Sequence, residues 1–155
     1  MATRFSSIAP AIALAAVAAI SLQAMPASAE ETSAPYQKFL TKDCGNVSTC
    51  FVQFPAIPKK NDVVITSISC FVTVLDTASK MLYAYATVMG TNGDQLGKDT
   101  LIPAYTNTAN IGAFHSINTK TTLLVRGGSK VELTLSSSKI ATTIAECKMA
   151  GHIVK

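Results

Sequence analysis

Four cysteines, two histidines, a scatter of acids and two tyrosines one residue apart are the side chains whose types could do chemistry. Cys44, Cys50, Cys70 and Cys147 are even in number, the mark of disulfides in an exported chain. Cys44 and Cys50 flank a short polar segment, CGNVSTC, in which Gly45 and Asn46 allow tight geometry. They are expected to pair with each other. Cys70 and Cys147 remain, both in strand-like segments with the cysteine on the apolar face. A bond between them closes a loop of about 78 residues and contributes about 4 kcal/mol in the loop-entropy picture. A zinc site asks for C-x₂-C spacing or histidines close by. A redox-active pair asks for C-x-x-C. The chain has C-x₅-C and distant histidines, so neither is assigned.

His115 and His152 are the imidazoles available for acid–base work. A serine triad needs three converging groups and an oxyanion hole, and no G-x-S-x-G elbow is present. His115 is read as a sheet-surface residue and His152 as a residue on the wet face of the last strand. A cleft gathering His115 with Ser or Asp would change that reading. Asp94 and Asp99 flank a turn containing Gly97, and are read as turn formers rather than as a glycosidase pair. Asn92-Gly93-Asp94 lacks the ligand ladder of a calcium loop. No catalytic residue, metal site or cofactor is assigned.

Residues 80–90 (KMLYAYATVMG) are apolar on both faces. Leu82, Ala84, Ala86 and Val88 share one face; Met81, Tyr83, Tyr85 and Met89 share the other. One face must be core. If the second is exposed, the in-line tyrosines form a binding face for a sugar ring or a partner. If the strand is central, both faces are covered.

These residues need elements to position them, and the elements read as strands. Residues 1–29 are set apart: Arg4, an apolar run over 8–20, and Ala27 and Ala29 placed for an A-x-A cleavage. The run is shorter than the roughly 20 residues of a spanning helix and contains Pro10. It is read as a signal peptide, leaving a domain over 30–155 with no membrane segment. In that domain, 49–54, 62–75, 80–90, 95–102, 111–118 and 141–154 carry strand signals. Gly127-Gly128, between TTLLVR and SKVELTL, reads as a two-residue hairpin loop. The sum is seven to nine antiparallel strands in a β-sandwich or jelly-roll-like barrel. Asn46-Val47-Ser48 is a glycosylation sequon, relevant only in a host that modifies such sites.

The basic residues are scattered singly apart from Lys59-Lys60, which excludes a nucleic-acid stripe. The expected product is a periplasmic or secreted, non-catalytic binding or structural domain whose partner is a small molecule, a glycan or a protein. Two alternatives stand beside it. One is a subunit of a surface assembly that lends residues 30–40 to a neighbour's sheet. The other is a small hydrolase.

Overall fold

Period-two alternation of apolar and polar residues makes each strand bury one face. The computed structural model describes residues 33–154, so the signal-peptide reading of 1–29 lies outside the described residues. Seven strands follow in order: β1 Pro35–Gln53, β2 Asp62–Val74, β3 Met81–Met89, β4 Gln95–Leu101, β5 Pro103–Ala109, β6 Gly112–Val125 and β7 Lys130–Val154. All pairings are antiparallel, and no helix occurs among the described residues. The all-β antiparallel class is as expected from the sequence.

β7 organises the fold. Its first part, Lys130 to Ser137, pairs with β3, and its last part, Thr143 to Val154, pairs with β2. β1 runs beside β7 along both parts. One wing is therefore β4-β3-β7-β1 and the other β5-β6-β2-β7-β1, joined by the two long strands. The sheet curls at the middle of β7, where the β1 register breaks between Val47 and Thr49. Ser136 and Ser137 donate their hydroxyls to the Ser48 carbonyl there, at 3.4 and 3.3 Å, tying the two strands at the bend. Ile65, Ile68, Val72, Leu133, Leu135 and Met149 belong to one apolar core drawn from both wings. Thr121 of β6 donates to the Asp99 carboxylate of β4, linking the wings again.

Several local expectations change. Gly127-Gly128 is a turn, but not a hairpin loop: β6 pairs with β2 and β5, while β7 pairs with β1, β2 and β3. Ser129 N–H bonds the Arg126 carbonyl, and Gly128 N–H bonds the Ile57 carbonyl. The turn thus docks on the 55–61 connection and sends the chain from one wing to the other. Two β-rich runs around two glycines specify a reversal, not which strands pair. The CGNVSTC segment is not a free loop; it is part of β1, where the strand bends. Within residues 30–40, Pro35 to Leu40 pair with β7 of the same chain, and residues 30–32 lie outside the described residues. Residues 103–109, which carry no strand signal in the sequence reading, form β5, and β7 is one strand of 25 residues across the serine-rich stretch.

The disulfides are Cys44–Cys50 and Cys70–Cys147. Cys70 and Cys147 sit directly opposite each other on β2 and β7, with Cα atoms 4.1 Å apart. That is the closer kind of antiparallel pair, and both residues are buried.

Candidate functional site

Of the residues expected on one binding face, Tyr83 and Tyr85 are together. Tyr83 is 46% exposed, Tyr85 is half-buried, and their rings lie 5.8 Å apart with 10° between planes. Met81 is not with them. A register break against β7 between Met81 and Tyr83 puts an extra residue into β3. Leu82 is pushed outward at 61% exposure, and Met81 packs against the core. The expected Leu82/Ala84/Ala86/Val88 face is therefore buried only from Ala84 onward. Met89 lies at the far end of β3, half-buried, opposite Lys130. Lys98 of β4 places its ammonium 3.6 Å from the Tyr85 ring centroid. One face of that ring is already taken by a cation.

The outer face of the other wing carries a second aromatic set that alternation alone does not single out. Register places Phe39, Lys148, Ser69 and Asn118 in one row across β1, β7, β2 and β6. The next row is Thr41, Glu146, Phe71 and Ser116. These residues line a groove of about 550 Å³. Phe39 and Phe71 are exposed at its two sides. Phe114 stacks on Phe71 with ring centroids 5.8 Å apart. The Lys148 ammonium lies 5.2 Å from the Phe39 ring centroid. The Cα atoms of Phe39 and Phe71 are roughly 12 Å apart, from two strand spacings across and two residues along. The sequence held one signal for this face: Phe71 has the opposite parity to Cys70, so an inward cysteine requires an outward phenylalanine.

His115 corrects its sequence reading. It is 2% exposed, because β6 turns it inward between Val72 of β2 and Tyr105 of β5. It lines a cavity of about 540 Å³ with Ser79, Lys80, Met81, Pro103 and Tyr105. The cleft gathering His115 with a serine therefore exists, but no Ser79–His115 side-chain hydrogen bond joins them. A serine nucleophile needs that bond to its base. Burial holds the His115 imidazole below the usual histidine range, with a hydrogen bond to the Ser79 backbone acting in the opposite sense. The unfolded chain, with a histidine near pH 6.5, then binds the proton more readily than the folded one. Stability from this group is complete above the unfolded value and is lost as pH falls through the interval down to the folded value. Lys80 and Tyr105 are the ionisable side chains on the same cavity wall. The expected result is a melting temperature that drops on acidification from pH 7.5 toward 5, with a shallower drop in His115→Phe. An unchanged slope in that variant would assign the effect elsewhere.

Asp94 sits in the β3–β4 turn and Asp99 is engaged with Thr121, so the two do not converge. His152 is half-buried on β7, opposite Val64 and Pro35. No helix among the described residues is long and apolar enough to cross a membrane.

No protein-family model and no curated protein matches the sequence. Among solved structures, the chain is similar to a part of infectious bursal disease virus Gx strain, with 13% identity over 77% of this chain and 32% of that one, at a TM-score of 0.40. It is similar to a part of dimeric latent PorU from Porphyromonas gingivalis, with 12% identity over 81% of this chain and 14% of that one, at a TM-score of 0.41. The chain thus spans well under half the length of either. A third likeness is to the family 3a carbohydrate binding module from the cipA scaffolding of Clostridium thermocellum, with 10% identity over 71% of this chain and 74% of that one, at a TM-score of 0.34. Scores below 0.5 establish no common topology.

Proposed function

We propose that this chain is an exported, non-catalytic binding domain that takes a glycan chain in the groove between Phe39 and Phe71. The observation that carries the reading is the composition of that groove. Exposed phenyl rings alternate with Thr41, Ser69, Ser116, Asn118, Glu146 and Lys148 along an open groove on the outer sheet face. Sugars offer apolar ring faces ringed by hydroxyls, and this pattern answers both. The rings stand far enough apart to meet different units of a chain rather than one monosaccharide. The sheet beneath is stapled by Cys70–Cys147 one residue away from Phe71, so the rings are held before the ligand arrives. The two disulfides fit an oxidising compartment, which is the periplasm or the extracellular space. The tyrosine face is the weaker platform, since Lys98 lies 3.6 Å from the Tyr85 ring centroid, against 5.2 Å from Lys148 to Phe39.

The test is affinity electrophoresis and calorimetry with β-glucan, xylan and chitin oligosaccharides. Phe39→Ala/Phe71→Ala is expected to weaken binding roughly tenfold or more, with little change in melting temperature because both rings are exposed. Tyr83→Ala/Tyr85→Ala is expected to leave binding unchanged. The reverse pattern would move the site to the tyrosine face. No binding to any of the three polymers would end the glycan reading.

One observation favours a second reading, the assembly subunit. β1 pairs only with β7 among the described strands, leaving its other edge free over a 19-residue strand. Exposed edges invite strand addition. Lys38, Lys42 and the breaks near Gly45 blunt this one, which is why binding is preferred here. A strict monomer in concentration-dependent sedimentation would rule assembly out.

A further inference from the structure

Buried polar side chains are almost always hydrogen-bonded, and each exception calls for a reason. Among the described residues, two buried side-chain atoms have no partner: His115 Nε2 and Ser79 Oγ. Ser79 is 1% exposed. Both residues line the same cavity of about 540 Å³. Two orphans at one cavity are better explained by a shared partner than by two unrelated defects, since each unpaired buried group carries a desolvation cost.

We propose that this cavity binds a small ring-shaped molecule bearing a hydroxyl group, with His115 Nε2 and Ser79 Oγ as its two polar anchors. This site is separate from the groove. His115 points to the inner side of β6, whereas its neighbour Ser116 faces the groove. The rest of the wall sets the ligand class. Met81, Pro103 and the Tyr105 ring supply apolar and aromatic surface. The Tyr105 ring meets His115 edge-on, with centroids 5.6 Å apart, and its hydroxyl bonds Thr108 at 3.1 Å. Tyr105 is exposed, so it stands at the mouth of the cavity. Burial disfavours the charged ring, so the neutral imidazole does not draw in an anion, and a hydroxyl group can either donate to Nε2 or accept from it. The cavity has the size of a small-molecule site.

The probes are phenol, glucose and acetate, added to the purified protein. Binding is read from the ¹⁵N shift of His115 Nε2 and from calorimetry. Saturable binding of phenol or glucose that moves the Nε2 shift supports the site; phenol alone marks an aromatic alcohol as its ligand, and glucose alone marks a sugar. Ser79→Ala and His115→Gln should each weaken that binding roughly tenfold, and Ser79→Ala guards against a folding failure of the histidine variant. Acetate alone binding, at Lys80 and without a shift at Nε2, overturns the proposal. So does the absence of any Nε2 response to all three, which would leave ordered water as the partner of the two atoms.

Discussion

Replacing Cys70 and Cys147 together with alanine is expected to lower the melting temperature by roughly 15 °C. The bond joins residues 77 apart in sequence, and a cross-link of that span removes about 4 kcal/mol of unfolded-chain entropy. It also joins β2 to the last part of β7, at the centre of the β5-β6-β2-β7-β1 wing. Both cysteines are in the core, so the alanines add small cavities to the loss. Urea unfolding of the wild type with and without reductant checks the prediction without a mutation. A reduced protein as stable as the oxidised one would show that the strand pairing and the core hold this wing alone. Cys44→Ala/Cys50→Ala is expected to cost less, because it spans six residues and lies within one strand.

Gly151→Ala is expected to destabilise the domain by about 3 kcal/mol, an effect of the overpacking kind. Gly151 sits opposite Ile65, beside the register break that leaves Thr66 as the extra residue of β2. There the β2 backbone is pushed against β7. A methyl group on Gly151 would stand 2.0 Å from the Val64 carbonyl oxygen and 2.9 Å from the Ile65 Cα. These are backbone atoms of a central strand, which cannot swing aside as a side-chain end can. Gly97→Ala is the control, since the nearest atom there is a Val88 methyl at 3.8 Å. Equal melting temperatures for Gly151→Ala and wild type would mean that the bulge relaxes freely.

Much of this chain is legible residue by residue. Alternation from 62 to 75 puts Cys70 with Val64, Ile68, Val72 and Val74, and from 141 to 154 puts Cys147 with Ala145, Met149, Gly151 and Ile153. Ile68, Val72, Val74, Ala145 and Met149 are buried with the cysteines, because period-two geometry is local; Val64, Gly151 and Ile153 are half-buried, beyond the register break at Ile65 and Ser67 that buries Val63 and Ile65 instead. The disulfide partners follow from that parity and from a short segment between Cys44 and Cys50. Alternation likewise puts Tyr83 and Tyr85 on one face; that this face is the outer one depends on the strands packed around β3. Leu82 and Met81 fail it because a bulge is a relation between two strands: one extra residue against β7 reverses everything before it.

What tertiary structure decided is which strands meet and what lies between them. Gly127-Gly128 is a local reversal signal, and only the competing partners β2 and β3 pull β6 and β7 apart. His115 follows Phe114 in an ordinary strand; its burial is set by β5 and the 77–81 segment closing over it. The groove takes Phe39, Phe71 and Glu146 from three strands far apart in sequence, so no spacing rule could bring them together. Strand type, the inward cysteines and the all-β class are legible without the fold, because they depend on neighbours one or two residues away. Register, bulges and the crossing of β1 and β7 between wings placed the groove and the His115 cavity, because those depend on hydrogen-bonded partners chosen across the whole chain.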